Sequence, residues 1–558
     1  MAVLLNEDEV ARFWISIFEK DDHSDSIIEL CDQSSKKKVI DIPYSEIISL
    51  DDEFANYLLF SPDSVISAGE RLLKERTNSV KTPHIRITGI PKDCACTFDD
   101  ITNCENVRFR SIKGTLIKAS SKTNGAFCSK LSGGLYGEII SDLDVNSKRV
   151  CVHLRGDDNI DAFGNALIFN GYWKSDSDNH CDHQSCQEGF FEVNSIESPD
   201  YIYGIPFSKR DIEEIKQASE DHDFFDDLVR SIAPTIVGME DVKATLALQL
   251  FGGVRKNVED GTHLLGNINI LLLNDPETGV YSLIKSMSRL SPKGMLLSGD
   301  IKSSGIPFSG KGSESRTDDS VFSIDVGAVT IANNGLLCLE DIGSLNDGQS
   351  SINSVINEGI DDFCYSGGRI RLSSDTSLLC MVRPKFGRIV DGKDIAEQID
   401  IHRYLTGLFD LVIPIRDVPQ EGHDKLIAES ILKKHIYANM MVEGANEGEI
   451  AIDNSDVPEH TYSEEFIRRY VAYARLNCNP VLDTKIAELL KDEYLSLRKK
   501  YDCVTAHHLE SMIRFAEASA RMRLSNTVEI IDVMRGSMII NNNIFKIMAI
   551  EGYQDRFC

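Results

Sequence analysis

Eight residues, Asn274 to Tyr281 (NDPETGVY), occupy a place where phosphate chemistry is expected. An apolar run, Ile268 to Leu273, precedes them and is short enough for a buried parallel strand. A helical pattern with apolar residues at Leu283, Ile284 and Met287 follows. Strand, polar turn and helix together are the layout of a phosphate-binding loop. Such a loop needs glycines, so that backbone N–H groups can curl around the anion. It also needs a Lys for the β/γ-phosphates and a Ser or Thr hydroxyl for Mg²⁺. Here Val280 stands in the Lys place, Tyr281 in the hydroxyl place, and Glu277 in a Gly place, where it aims a carboxylate at the anion. The loop reads as the scaffold of an ATPase site from which the gripping groups Asn274, Asp275, Pro276, Glu277, Thr278, Gly279, Val280 and Tyr281 no longer supply a cation.

Other stretches carry reactive residue types with weaker spacing. SGKGSES (Ser309 to Ser315) holds a fragment of a phosphate loop, but no buried strand precedes it and the full G-x-x-x-x-G-K-[ST] is absent. It is expected to tip an inserted hairpin, where Lys311 and Arg316 reach DNA, or to be an exposed turn. HCDHQSC offers His180, Cys181, His183 and Cys186. Zinc knuckles space two ligand pairs a dozen or more residues apart, so a solvated loop tip is expected rather than a metal site. Lys36 to Lys38 reads as a solvated turn, and Cys338, Cys364 and Cys380 as core thiols in apolar strands.

The elements that must hold these residues set the frame. A chain of 558 residues has room for three or four domains. Residues 1–80 mix acidic and apolar residues at helical spacing and predict a small helical domain. From Ile85 the texture changes to short β-rich segments, Val107–Ser120, Lys148–Gly156, Asn165–Lys174 and Gly189–Glu197, which predict a small barrel of OB-fold type over 81–205. Ser208 to Ser231 reads as one polar, acidic linker helix. Gly238 then precedes a helical pattern (Val242, Leu246, Leu250) stopped by Gly252-Gly253. Over 232–421, four strands alternate with helices and predict a parallel α/β sheet. From 422 the chain reads as helical to Ile540, with no further domain such as a winged helix expected after it. The fold class is therefore multidomain, α+β followed by α/β.

Net charge is −29, which argues against a generally basic nucleic-acid binder but leaves a local basic strip open. No apolar run approaches the ~20 residues needed to span a bilayer. The N-terminus lacks a basic n-region, and the fourteen cysteines show no small-domain framework, so reduced thiols and a cytoplasmic, in part nucleoid-associated, location are expected.

IAPTIVGMEDVKATLALQLFGGV, the ILLLNDP turn, ANNGLLCLED, RPKFGR, LFDLVIPIRDVP and HHLESMIRFAEASARMRLS, in that order, resemble the MCM family of AAA+ replicative DNA helicases, over roughly residues 82–545. The resemblance implies a helical and OB-fold tier, an AAA+ ATPase core with a helical lid, and hexameric rings that encircle DNA with ATP and Mg²⁺ bound between subunits. It also assigns positions. The family's acid pair falls on Glu340-Asp341 in swapped order, its sensor Asn on Arg383, its arginine finger on Leu408 and its lid Arg on His507. A pore-hairpin Lys falls on Tyr365, with Arg369 and Arg371 nearby, and the barrel's DNA hairpin aligns with the acidic stretch Lys174 to Gly189. The zinc module is not recognisable around Cys128 and Cys151. Because cations opposite the acid pair are missing, Arg383 is expected to pair with Glu340 or Asp341. These positions together predict a non-catalytic MCM homologue that holds neither ATP nor Mg²⁺. Its implied partners are DNA, an active MCM or other replication proteins in a ring-type oligomer. The alternatives are a divergent ATP-dependent helicase working beside a competent partner, and a nucleic-acid-binding module that uses the barrel alone.

Overall fold

A computed structural model describes residues 5–20, 39–77, 83–102, 108–121, 135–141, 149–154, 163–174, 189–198, 203, 205–257, 263–297, 306–315, 321–345, 349–365, 368–422, 424–429, 431–432 and 462–552. The chain divides into two compact units. The first comprises residues 1–204, 310–327 and 363–370, and the second comprises 205–309, 328–362 and 371–558.

Among the described residues the first unit opens with four helices, α1 (Glu7–Phe18), α2 (Tyr44–Leu50), α3 (Asp52–Phe60) and α4 (Pro62–Thr77), packed around the fully buried Trp14. It is not purely helical. Strand β1 (Val39–Pro43) pairs in parallel with β2 (His84–Thr88), and Asn194 and Ser195 then bond the backbone of Ile85 and Ile87. The expected boundary at residue 80 therefore cuts a two-stranded sheet that the helices alone could not close.

Five strands follow: β3 (Arg110–Ser121), β4 (Leu135–Ile140), β5 (Arg149–Leu154), β6 (Ala166–Lys174) and β7 (Phe190–Glu197). They pair β3-β4-β5-β7-β6, and β6 returns to β3. That pairing closes a barrel along Arg110–Thr115 and leaves one side of Lys118–Ser121 to another strand. Ile112, Leu116, Ile139, Val152, Phe169 and Phe191 are fully buried. Gly171 sits at a register shift between β6 and β7, where a Cβ would lie 2.0 Å from the Glu192 carbonyl oxygen. Strand β4 was not among the segments expected from sequence. Two later strands, β10 (Lys311–Ser315) and β11 (Val321–Asp325), extend the same sheet. β11 runs antiparallel to the end of β3, from Phe322 opposite Ser121 to Asp325 opposite Lys118. SGKGSES is thus the first strand of a hairpin rather than its tip, because its backbone is used in the ladder. Cys151 in β5 is disulfide-bonded, contrary to the expectation of reduced thiols throughout. Seven other described cysteines are free.

The second unit begins with two helices where one linker helix was expected. These are α5 (Lys209–Ser219) and α6 (Phe224–Ser231). Phe224, Leu228 and Val229 have helical spacing and are buried, so α6 belongs to the core rather than to a linker. Helix α7 (Glu240–Phe251) ends on Gly252 at φ 62°, as the sequence indicates. Five strands form a parallel sheet: β8 (Ile270–Asn274), β9 (Gly294–Leu297), β12 (Leu336–Leu339), β15 (Ser377–Val382) and β16 (Leu411–Ile415). Their order is β9-β12-β15-β8-β16. Helices cover both faces, so every residue of β8, β12 and β15 is buried, which is why they read as unbroken apolar runs. The hairpin β13 (Ile360–Tyr365) and β14 (Gly368–Ser373) is inserted before β15. Fully buried Asp361 lies at its base and accepts from Ser309 Oγ and from Thr330 Oγ1 (3.0 Å).

Short helices α8 (Val280–Leu290), α9 (Ala328–Ile331) and α10 (Gln349–Glu358) connect the strands. The lid comprises α11 (Glu464–Asn477), α12 (Thr484–Lys500), α13 (Ala506–Met522) and α14 (Ile530–Glu551). Buried Arg521 on α13 donates to the carbonyls of Phe251, Gly252 and Gly253 (2.8, 3.1 and 3.0 Å), placing a cation on the C-terminal end of α7.

Candidate functional site

The stretch Asn274–Tyr281 forms the expected turn between β8 and α8. Glu277 has φ 63° and Gly279 has φ 79°, so the chain takes a left-handed path twice within three residues. Glycine adopts this path freely, but Glu277 does so at a cost of about 1–2 kcal/mol. Asp275 holds the turn in place. Its carboxylate, 3% exposed, accepts from Ile389 N (2.8 Å) and Asp417 N (3.1 Å), and its own N–H donates to Ile415 O (2.9 Å). Thr278 Oγ1 and Asn274 Nδ2 both donate to the Asp275 carbonyl, at 2.9 and 3.1 Å. Asn274 Oδ1 is buried without a donor. Val280 is 1% exposed at the start of α8 and packs into the core, while Tyr281 and Glu277 face solvent.

The acid pair leaves the same edge of the sheet, after β12. Glu340 N donates to Leu297 O (3.1 Å), and the half-buried Glu340 carboxylate has no ion pair among the described residues. Asp341 is engaged locally, because its Oδ1 accepts from Gly343 N (2.9 Å) and caps the turn Ile342–Ser344. Arg383 follows β15, the strand between β12 and β8. It is exposed and makes no ion pair within 4 Å of either acid, so the expected pairing is not formed. An exposed, hydrated guanidinium at a strand end gains little from a partly solvated carboxylate, typically ~0–1 kcal/mol, and so has no reason to be held there.

The remaining positions gather at the opposite edge. β8 and β16 are parallel with Ile270 opposite Leu411, so residues just before β16 lie at the strand starts, away from the turn. Leu408 is half-buried there. His507, on lid helix α13, brings Nε2 to 3.2 Å from Phe409 O. Between them lies a buried knot that the sequence did not reveal. Asp410 Oδ2 accepts from Asn269 N (2.8 Å), and its Oδ1 accepts from Ser511 Oγ (2.6 Å) and lies 2.7 Å from Arg514 Nη2. Next to this knot, burial pushes His508 below the usual imidazole range, reinforced by His507. The reassigned positions therefore fall into two separate clusters, one at each edge of one sheet.

Of the residues considered for DNA contact, Lys311 opens β10 and is exposed, Arg369 is exposed, and Arg371 is exposed and paired with Asp362 (3.3 Å). Arg316 and the stretch holding His180, Cys181, His183 and Cys186 lie outside the described residues. Among the described residues no three His, Cys, Asp or Glu side chains are grouped to hold a metal ion.

Comparison with known proteins places this geometry. A family model of the MCM P-loop domain matches residues 211–435, spanning the sheet and both clusters up to the lid. A second model, of the MCM AAA-lid domain, matches residues 465–544. The chain belongs to the MCM family. It is similar to the DNA replication licensing factor mcm4 of Schizosaccharomyces pombe, at 31% identity over 60% of this chain and 37% of that protein. It is similar also to the licensing factor MCM5 of Arabidopsis thaliana, at 29% over 57% of this chain and 44% of that protein. MCM3 of Gallus gallus gives 28% over 61% and 47%. The chain thus spans less than half the length of these curated MCM relatives. The α/β core with a helical lid is the MCM AAA+ architecture.

Proposed function

We propose that this MCM homologue acts as a structural or regulatory factor in DNA replication without an ATPase of its own. The observation that carries the reading is Val280. The residue where a phosphate loop must extend a lysine is an aliphatic side chain sealed in the core, 1% exposed. Around it, Glu277 offers a carboxylate, Tyr281 replaces the Mg²⁺ hydroxyl, and Asp341 spends its carboxylate on a backbone turn. These residues do not fit Mg-ATP, which needs cations where the loop supplies an acid and an aliphatic group. Leu408 and His507 at the other sheet edge extend the same argument to the half-site a subunit would lend its neighbour. Loss of an arginine finger alone typically costs ~10³–10⁵ in rate.

The chain keeps the MCM scaffold, and the reading follows that it joins DNA-bound assemblies of MCM proteins and disables the two sites it borders. The closed five-stranded barrel, ordered β3-β4-β5-β7-β6, supports reading it as an OB-fold in such an assembly. The test is calorimetric titration with Mg-ATP, together with sizing of the purified chain with and without an active MCM of the same cell. No nucleotide binding and ATP-dependent co-elution are expected. Stoichiometric binding with Mg²⁺-dependent turnover that disappears in Asp341→Asn would refute the reading and favour the divergent helicase.

A further inference from the structure

Lid helix α14 buries one face and leaves the other without cover. Val533, Gly536, Ile540 and Ile544 face the core. The outward positions are Ile531, Met534, Met538, Asn541 and Phe545, a 3-4-3-4 spacing. Ile531, Met534, Met538 and Phe545 are between 49 and 64% exposed. A 3-4 apolar repeat is the seam of a two-helix coil rather than the 3.6 repeat of a helix serving only its own core. The seam carries no charge on a chain of net charge −29. Every charge on α14 is used within the chain. Asp532 binds Arg523 (2.6 Å), Arg535 donates to Ser519 (2.8 Å), Lys546 pairs with Asp241, and Glu551 accepts from Ile395 N (3.0 Å).

We propose that α14 is a homodimerisation seam, occupied by α14 of a second copy of this chain running parallel to it. Three features select that occupant. The seam is self-complementary, since a parallel pairing sets each residue opposite itself and no like charges meet. Asn541 sits mid-seam, half-buried, within a run of three asparagines, which are poor helix formers. A parallel pair sets the two Asn541 side chains opposite each other, the device that fixes register and favours two strands. The area also suffices: the four exposed apolar side chains of the seam offer on the order of 500 Å² per copy, so two copies bury about 1,000 Å², the least a specific interface needs. Beside Met538 opens a cleft of about 170 Å³, lined by Phe225, Ala244, Leu411, Ile413 and Ile539, with room for a side chain of the second helix. The seam does not depend on the proposed assembly with MCM partners and is tested on this chain alone.

The experiment is sedimentation equilibrium of the full chain from about 1 to about 100 μM, at low salt and at about 0.5 M salt, where repulsion between the two acidic copies is screened within ~5 Å. A dimer is expected, tighter at high salt. Met534→Glu with Met538→Glu is expected to weaken it at least ~100-fold, because two carboxylates per copy would be buried unpaired. Both side chains are 64% exposed in the single chain, so the double variant should melt where the wild type melts once diluted to monomer. Asn541→Leu works in the opposite direction, tightening association or raising the oligomer order, and decides the matter if the double variant folds poorly. A wild-type chain that stays monomeric at both salts, or a dimer whose association the folded double variant leaves unchanged, overturns the proposal; so does an Asn541→Leu chain with unaltered association.

Discussion

Replacing Asp275 with alanine tests whether the turn after β8 is held by its own scaffold rather than by a ligand. The carboxylate accepts two backbone N–H bonds, from Ile389 and Asp417, and is 3% exposed. Bonds to a charged acceptor contribute about 1.5–3 kcal/mol each. Ile389 is buried, so its N–H is left without a partner in Asp275→Ala, whereas Asp417 faces solvent and water replaces most of its loss. The two together give a destabilisation of about 3 kcal/mol. At about 2–4 °C per kcal/mol, the transition of the second unit should fall by about 6–12 °C in differential scanning calorimetry. Asp275→Asn, which keeps one carbonyl acceptor, should fall by about half as much. Amide exchange should accelerate at Ile389 and Asp417 and stay unchanged in β12. A transition within about 2 °C of wild type, with no local exchange, would show that the carboxylate does not brace the turn.

Glu277→Gly should stabilise the chain by about 0.5–1 kcal/mol in urea, since relief of the left-handed backbone outweighs the added freedom of glycine in the unfolded chain; a lower midpoint contradicts this. His508 supplies a pH dependence. Its Nδ1 accepts from Thr505 N (3.2 Å) at the start of α13, a bond only the neutral ring can accept. Its folded pKa lies below the unfolded value, so the unfolded chain takes up the proton first. Stability should therefore be full at about pH 7.5 and decline as pH drops below the unfolded value of about 6.5 toward the folded one. His508→Gln should flatten that decline in thermal melts; an unchanged slope assigns it elsewhere.

Much of the second unit was legible because parallel strands covered on both faces read as plain apolar runs. Ile270–Asn274, Leu336–Leu339, Ser377–Val382 and Leu411–Ile415 each stood out on that ground. Gly294–Leu297 did not, being four residues long at the sheet margin. The turn chemistry was legible from residue types alone, since no conformation converts Val280 into a cation. What escaped depends on contacts between distant segments. Asp410 meets Asn269 and Arg514 from more than a hundred residues away on either side. Arg383 was expected to seek a carboxylate by charge counting, but water at a strand end removes that need. Nothing local in Val321–Asp325 announces that it pairs with β3 as well as with its neighbour β10.

That last pairing sets an order of events during synthesis. The sheet begun at Arg110 gains its outer strands only when Val321–Asp325 leaves the ribosome, some two hundred residues later. Until then the backbone of Lys118–Ser121 presents an open edge of the kind that recruits strands from other chains. Translation of the intervening segment is thus a window of vulnerability, and a fragment ending at residue 204 would hold it open permanently.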